Sequence, residues 1–146
     1  MSMVDVTAKP EVYREATARG CIKLKLETLR LIKQHKIEKG DPFEVAKVAG
    51  VLAAKKTSSL IPLCHLLPLT NVDVNLKIVG EKAVEVEATV KTRAQTGVEM
   101  EALVAVSVAL LTVWDMTKQY EKDAEGQYPS TVIEDVRVVQ KIKKQK

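Results

Sequence analysis

The chain has 146 residues and a mass of 16.1 kDa, the size of one domain. It is 46% hydrophobic and 29% charged, which excludes a disordered tail and a membrane-embedded chain, and with 3% aromatic residues its core must be built from Val, Leu, Ile and Ala. The net charge of +4 is uneven: Arg137, Lys141, Lys143, Lys144 and Lys146 carry +5 and leave the rest at −1, so a broadly basic body that coats nucleic acid is excluded as well.

Cys21 and Cys64 form no CxxC pair and are too few for a disulfide framework. No apolar segment reaches the roughly 18 residues of a bilayer span. Met1 to Asp5 carries no apolar leader core. A reduced, cytoplasmic setting is the expectation, with loose ends over residues 1–10 and 142–146.

In chain order, residues 12 to 24 (VYREATARGCIKL) alternate and read as a strand. Lys25 to His35 has helical spacing through Leu26, Leu29, Leu31 and Ile32. Asp41 as N-cap and Pro42 in the first turn open a second helix, which ends near Lys55 and Lys56 where cations meet the negative end of the dipole. Residues 57 to 70 (TSSLIPLCHLLPLT) hold Pro62 and Pro68 in an apolar setting, which predicts an irregular, buried segment. Val72 to Val79 and Ala83 to Val90 alternate around Gly80-Glu81 as a β-hairpin with one wet face. Thr96 to Glu99 matches a capping box and predicts a long helix to about Lys122, followed by a strand from Thr131 to Val139. The order β-α-α-β-β-α-β predicts an α+β fold of ferredoxin-like type, an antiparallel sheet with helices packed on one face.

From Ala102 to Trp114 only Ser107 and Thr112 interrupt 13 otherwise apolar residues. A helix apolar on every side must be covered on every side, and one four-stranded sheet covers one side. The remainder predicts a homo-oligomer.

Candidate chemistry falls in four places. His65 follows Cys64 in a loop hemmed by Leu63, Leu66 and Leu67; it is a titratable imidazole or a core histidine bonded to a carbonyl. With two Cys and two His in the chain, no structural zinc set is expected. Asp115 and Lys118, three apart on one helix face, are a solvated ion pair or, if an interface covers them, an acid–base pair with perturbed protonation. Glu99 is explained by the capping box with Thr96, whereas Glu101 has no such role. Glu101 and Asp115 share a helix side but lie roughly 21 Å apart along the axis, so only two antiparallel copies bring them together. The cations Lys39, Lys55, Arg14 and Lys141 are surface charges or a convergent anion site. With no Walker loop or GxGxxG, phosphate must be held by such side chains.

Three long motifs then stand in order: Lys55-Lys56-Thr57-Ser58-Ser59-Leu60-Ile61-Pro62-Leu63-Cys64-His65, Thr96-Gly97-Val98-Glu99-Met100-Glu101-Ala102-Leu103, and Trp114-Asp115-Met116-Thr117-Lys118. With Met3-Val4-Asp5-Val6, Lys39-Gly40-Asp41 and Val136-Arg137, they closely resemble the MoaC family over nearly the whole chain. The resemblance implies the second step of molybdenum cofactor biosynthesis. In that step a cyclised dihydro-GTP, made by a radical enzyme, becomes cyclic pyranopterin monophosphate with release of pyrophosphate. It also implies a ferredoxin-like homohexamer, a trimer of dimers with its site at the dimer interface. Carried over by motif, Asp115, Lys118 and Lys39 match catalytic positions. Leu63, Cys64, His65, Met100, Glu101, Glu99, Arg14, Lys55 and Lys141 match substrate-contacting ones. No tightly bound cofactor is implied, though Mg²⁺ commonly accompanies a triphosphate. Departures are Lys56, Ser59 and Leu66, where the family often has Arg, Asp and Pro. Ile142 to Lys146 also stands in place of a glycine-rich end.

Three other classes fit the fold. An RNA-binding module needs aromatics on its sheet, and of the five aromatic residues only Tyr13 falls in a predicted strand. A cysteine hydrolase using Cys64 needs a base from elsewhere, since adjacent residues in extended chain point apart. A purely structural oligomer would bind no nucleotide. Neither nucleic acid nor membrane is an expected partner.

Overall fold

The computed structural model describes residues 1–145, so Lys146 of the basic tail lies outside the described residues. Strand β1 (Val12–Lys23) is followed by helices α1 (Leu26–Lys33), α2 (Pro42–Lys55) and the single turn α3 (Thr57–Leu60). The hairpin β2 (Leu69–Val79) and β3 (Ala83–Ala94), the long helix α4 (Glu99–Glu121) and strand β4 (Val132–Lys144) complete the chain. The four strands form one antiparallel sheet in the order β2-β3-β1-β4, the ferredoxin-like arrangement.

Alternation sets the two faces of this sheet. Ala16, Ala18 and Ile22 of β1 and Val84, Val86, Ala88 and Val90 of β3 are fully buried on the helix side. They meet Ala102, Ala105, Val106, Ala109, Leu110 and Val113 of α4, also fully buried; the small alanines let the helix lie close on the sheet. The opposite face is wet and charged, as the Val-Glu alternation predicts. There Arg19 meets Glu87 at 2.8 Å, and the Thr17 and Thr89 hydroxyls meet at 2.8 Å.

The Asp41 side chain accepts from the Phe43 N–H at 2.9 Å and Pro42 occupies the first turn of α2, so this start is as expected. Three expectations need correction. Residues 61–68 are irregular but not buried, with Leu63 and Leu66 exposed, because no second layer covers this edge of the sheet. The capping box of Thr96 does not form: α4 begins at Glu99 with Val98 as its N-cap and no side-chain cap. The last strand continues past Val139 to Lys144, pairing with Tyr13, so residues 142–144 are strand rather than loose tail.

One buried carboxylate ties the C-terminal end of α4 to its surroundings. Glu121 is fully buried and accepts from the Lys25 N–H at 3.1 Å, the Thr131 hydroxyl at 2.6 Å and the Thr28 hydroxyl. It thus meets the N–H of Lys25, the N-cap of α1, at a helix end where a negative charge is favoured.

Helix α4 is long and apolar enough to cross a bilayer, but its inner side is core. Its outer side is only partly covered: Met100 and Leu111 are exposed, and Val104, Ser107 and Val108 are half-buried. Neighbouring α2 adds exposed Val45, Val48 and Leu52.

Candidate active site

The first centre lies near the C-terminal end of α4. The Lys118 Nζ reaches Asp115 Oδ1 at 3.1 Å, the i,i+3 pair expected of one helix face. Lys39 closes on the other oxygen, with Nζ 3.2 Å from Oδ2 and 3.0 Å from the Asp115 carbonyl oxygen. Lys39 arrives from the turn before α2, which is pinned to the same helix. The Glu38 N–H donates to the Tyr120 hydroxyl oxygen at 2.8 Å, and the Gln119 amide donates to the Glu38 carboxylate at 2.9 Å. Gly40 follows with φ +119°, a left-handed conformation that suits glycine and turns the chain into α2. Lys39 therefore serves Asp115 rather than the α2 N-terminus.

Asp115 is exposed in the single chain, and its pKa lies below the ordinary aspartate value. Hydrogen bonds from Lys118 and then Lys39 stabilise the carboxylate, and their positive charges add to this. It is a carboxylate clamped between two ammonium groups.

The second centre lies at the N-terminal end of the same helix. A pocket of about 470 Å³ is lined by Leu63, Cys64 and His65 from the irregular loop and by Thr96, Gly97, Glu99 and Met100 from the α4 entry. Val4, Val6 and Lys9 of the N-terminal segment complete it. His65 Nε2 lies 2.7 Å from the Val4 carbonyl oxygen, which can only accept, so Nε2 carries a proton and donates it there. Cys64 Sγ lies 3.8 Å from the His65 carbonyl oxygen. Burial and the Glu101 charge push the Cys64 thiol up, the opposite of an activated nucleophile. The cysteine-hydrolase reading finds a thiol held to its proton where it needs a thiolate.

Glu101 lies beneath this pocket, 3% exposed. Among the described residues its Oε1 finds no hydrogen-bond partner. Burial raises its pKa, and the nearby charge of Glu99 adds to the rise against a backbone hydrogen bond that opposes it. Such a carboxyl holds its proton more tightly than an ordinary glutamate, whereas Asp115 gives its proton up more readily than an ordinary aspartate. Glu99 is freed from the capping role the sequence suggests. Its carboxylate folds back over Gly97, where any Cβ would collide with it, and pairs with Lys141 at 3.5 Å.

The remaining cations divide. Arg14, buried in β1, donates to the Ala94 carbonyl at 3.1 Å and the Gln95 carbonyl at 3.3 Å, beside the strand end that leads into the pocket. Lys55 stands apart, with Val51 and Leu69 to Val72 between α2 and β2. One chain thus gathers Asp115, Lys118 and Lys39 at one end of α4. It gathers Leu63, Cys64, His65, Glu99, Met100, Glu101 and Lys141 at the other, and leaves Lys55 outside both.

Among the described residues no group of three or more His, Cys, Asp or Glu side chains could hold a metal ion. Sequence reasoning did not single out Val4, Val6 and Lys9 as site residues, nor Tyr120 and Gln119 as the pins of the Lys39 turn. All five act across long sequence separations that carry no local pattern.

Comparison with known proteins returns one consistent result. The model of the MoaC family matches residues 3–144. The "Probable cyclic pyranopterin monophosphate synthase" of Saccharolobus solfataricus is 56% identical over 141 residues, 97% of this chain and 94% of that protein. A protein of the same name from Pyrococcus furiosus is 55% identical over 146 residues, 100% of this chain and 93% of that one. Another from Sulfurisphaera tokodaii is 57% identical over 141 residues, 97% and 93% respectively.

Proposed function

Because the chain belongs to the MoaC family across nearly its whole length, we propose that it catalyses the reaction its relatives are named for, the formation of cyclic pyranopterin monophosphate in molybdenum cofactor biosynthesis. It is a lyase acting on cyclised dihydro-GTP and releasing pyrophosphate. The observation that carries the assignment of roles is Asp115 held between two lysines at one end of a helix whose other end buries a carboxyl with one oxygen unpartnered among the described residues.

The chemistry asks for such groups. Rebuilding the purine-derived ring into a pyranopterin moves several protons, which Asp115 accepts and Lys118 and Lys39 deliver. Glu101, which holds its proton more tightly than an ordinary glutamate, and His65 serve the pterin end beside Leu63, Cys64 and Met100. Closing the cyclic phosphate forms a bond from a sugar hydroxyl oxygen to the α-phosphorus. The bond to the β-phosphate oxygen breaks, the hydroxyl proton passes to a base, and pyrophosphate leaves with the electron pair. The charge that develops on it needs cations already in place; Lys141 beside Glu99 and Arg14 supply them, while Lys55 stands outside both centres of the chain.

We assign no resident metal. Asp115 and Glu99 are committed to lysines, so Mg²⁺ travels with the triphosphate as part of the substrate.

The two halves of the site lie too far apart on α4 for one chain to close on one substrate. A two-fold dimer, three of which make a hexamer, brings Glu101 of one copy to Asp115 of the next. The uncovered apolar side of α4 and the stripe of Val45, Val48 and Leu52 support such an assembly. Two unpaired cysteines support a cytoplasmic setting. The test is direct: purified protein supplied with the cyclised GTP intermediate should yield pyrophosphate and a pterin product. Assembled protein that yields neither would remove the assignment.

A further inference from the structure

Strand β4 runs three residues beyond Lys141, and its pairing with β1 sorts the lysines of the tail by face. Lys141 stands opposite Ala16, Lys143 opposite Arg14 and Lys144 opposite Tyr13. Opposed residues share a face, so Lys141 and Lys143 lie on the helix side with Arg14. Lys144 lies on the outer side, where its ammonium sits 5.7 Å from the centre of the Tyr13 ring. Alternate residues of a strand are roughly 7 Å apart, which sets Lys143 one step beyond the Lys141 that reaches the pocket through Glu99.

The cations at this end are not equivalent. The Arg14 guanidinium is committed to two carbonyls and Lys141 is half-neutralised by Glu99. Lys23, Lys39, Lys77 and Lys118 are each paired with an acid elsewhere. Lys143 is exposed and, among the described residues, pairs with no carboxylate. An anion arriving here finds in Lys143 an ammonium that gives up no existing partner.

We propose that Lys143 holds the pyrophosphate end of the triphosphate and remains on it as pyrophosphate leaves, which makes it a substrate-binding residue. The inference rests on the reaction proposed above, and it turns on face: Lys143 acts while its neighbour Lys144, one residue on but across the sheet, does not. Arg14 and Lys141 position and flank the same anion.

Titration calorimetry with inorganic pyrophosphate on the full-length protein decides the matter. Lys143→Gln should weaken pyrophosphate about fivefold and flatten the salt dependence of binding, while Lys144→Gln binds as the unsubstituted protein does. Equal affinity in Lys143→Gln, an equal loss in Lys144→Gln, or no binding by the unsubstituted protein would each overturn the proposal; an equal loss would mean that the tail acts as a diffuse positive field. Turnover of cyclised GTP by the same preparation keeps the two questions apart. If turnover is present and Lys143→Gln is silent, only the role of Lys143 fails. If turnover is absent, the reaction assignment fails, whatever the calorimetry reads.

Discussion

Asp115 and Glu101 are both carboxylic acids on one helix, and their surroundings push them in opposite directions. Two ammonium groups depress the pKa of Asp115, so its pairing persists above the ordinary aspartate value and is lost as pH falls through the lower, folded-state value. Carboxyl chemical shifts followed by NMR should place the Asp115 midpoint below that of an unperturbed aspartate, and Lys39→Ala with Lys118→Ala should move it back up. Because the cluster is exposed, the depression should shrink in molar salt. For Glu101 the sign reverses. A raised folded-state pKa means that the native chain holds its proton more tightly, so stability declines as pH rises from the ordinary glutamate value through the raised one. Glu101→Gln keeps the shape and removes the buried charge. It should raise the melting temperature at pH 8 by about 2–4 °C, as calorimetry would read, with a smaller gain at pH 4. The same variant should lose turnover, a stability gain set against function.

At the scale of elements, the starts and stops that rest on local chemistry were legible: Asp41-Pro42 opens α2, and Gly80 turns the hairpin. Failures came where a distant partner outbids a local one. Thr96 and Glu99 have capping-box spacing, but Gly97 lets the Glu99 carboxylate fold back toward Lys141, which lies 42 residues later in the chain. The end of strand β4, residues 140–144, hid in its own basic residues because an edge strand with both faces wet shows no clean alternation. Leu63 and Leu66 suggested burial because composition reports apolarity and not whether a second layer exists. Glu121 was invisible for a related reason, since its three donors come from two segments, Lys25 and Thr28 at the start of α1 and Thr131 beyond the end of α4, that no local pattern joins to it. Its removal tests how firmly α1 is held. Glu121→Ala strands buried donors and should cost about 2–4 kcal/mol, seen as a lower urea midpoint with an unchanged slope. An unchanged midpoint would show that solvent replaces the carboxylate without loss.

For the whole molecule, the apolar run from Ala102 to Trp114 is the sequence feature on which the proposal of a partner chain rests, because its composition exceeds what one sheet can cover. Where such a partner would sit leaves no mark in a single sequence. Leu111, 57% exposed at the middle of the uncovered side, is the place to test it. Leu111→Glu should reduce the mass seen by light scattering toward 16.1 kDa and abolish turnover, while circular dichroism keeps the helix and strand signal. Activity surviving in a monomer would put the complete site within one chain.

Two acidic groups borne on one rigid rod some 21 Å apart also make a genetic prediction. If every reaction chamber draws its ends from different polypeptides, two crippled alleles can rescue one another. Asp115→Asn and Glu101→Gln, each inert alone, should regain activity when co-expressed. A mixed pair concentrates both lesions in one chamber and leaves its other chamber intact, so random pairing should restore about a quarter of the normal rate.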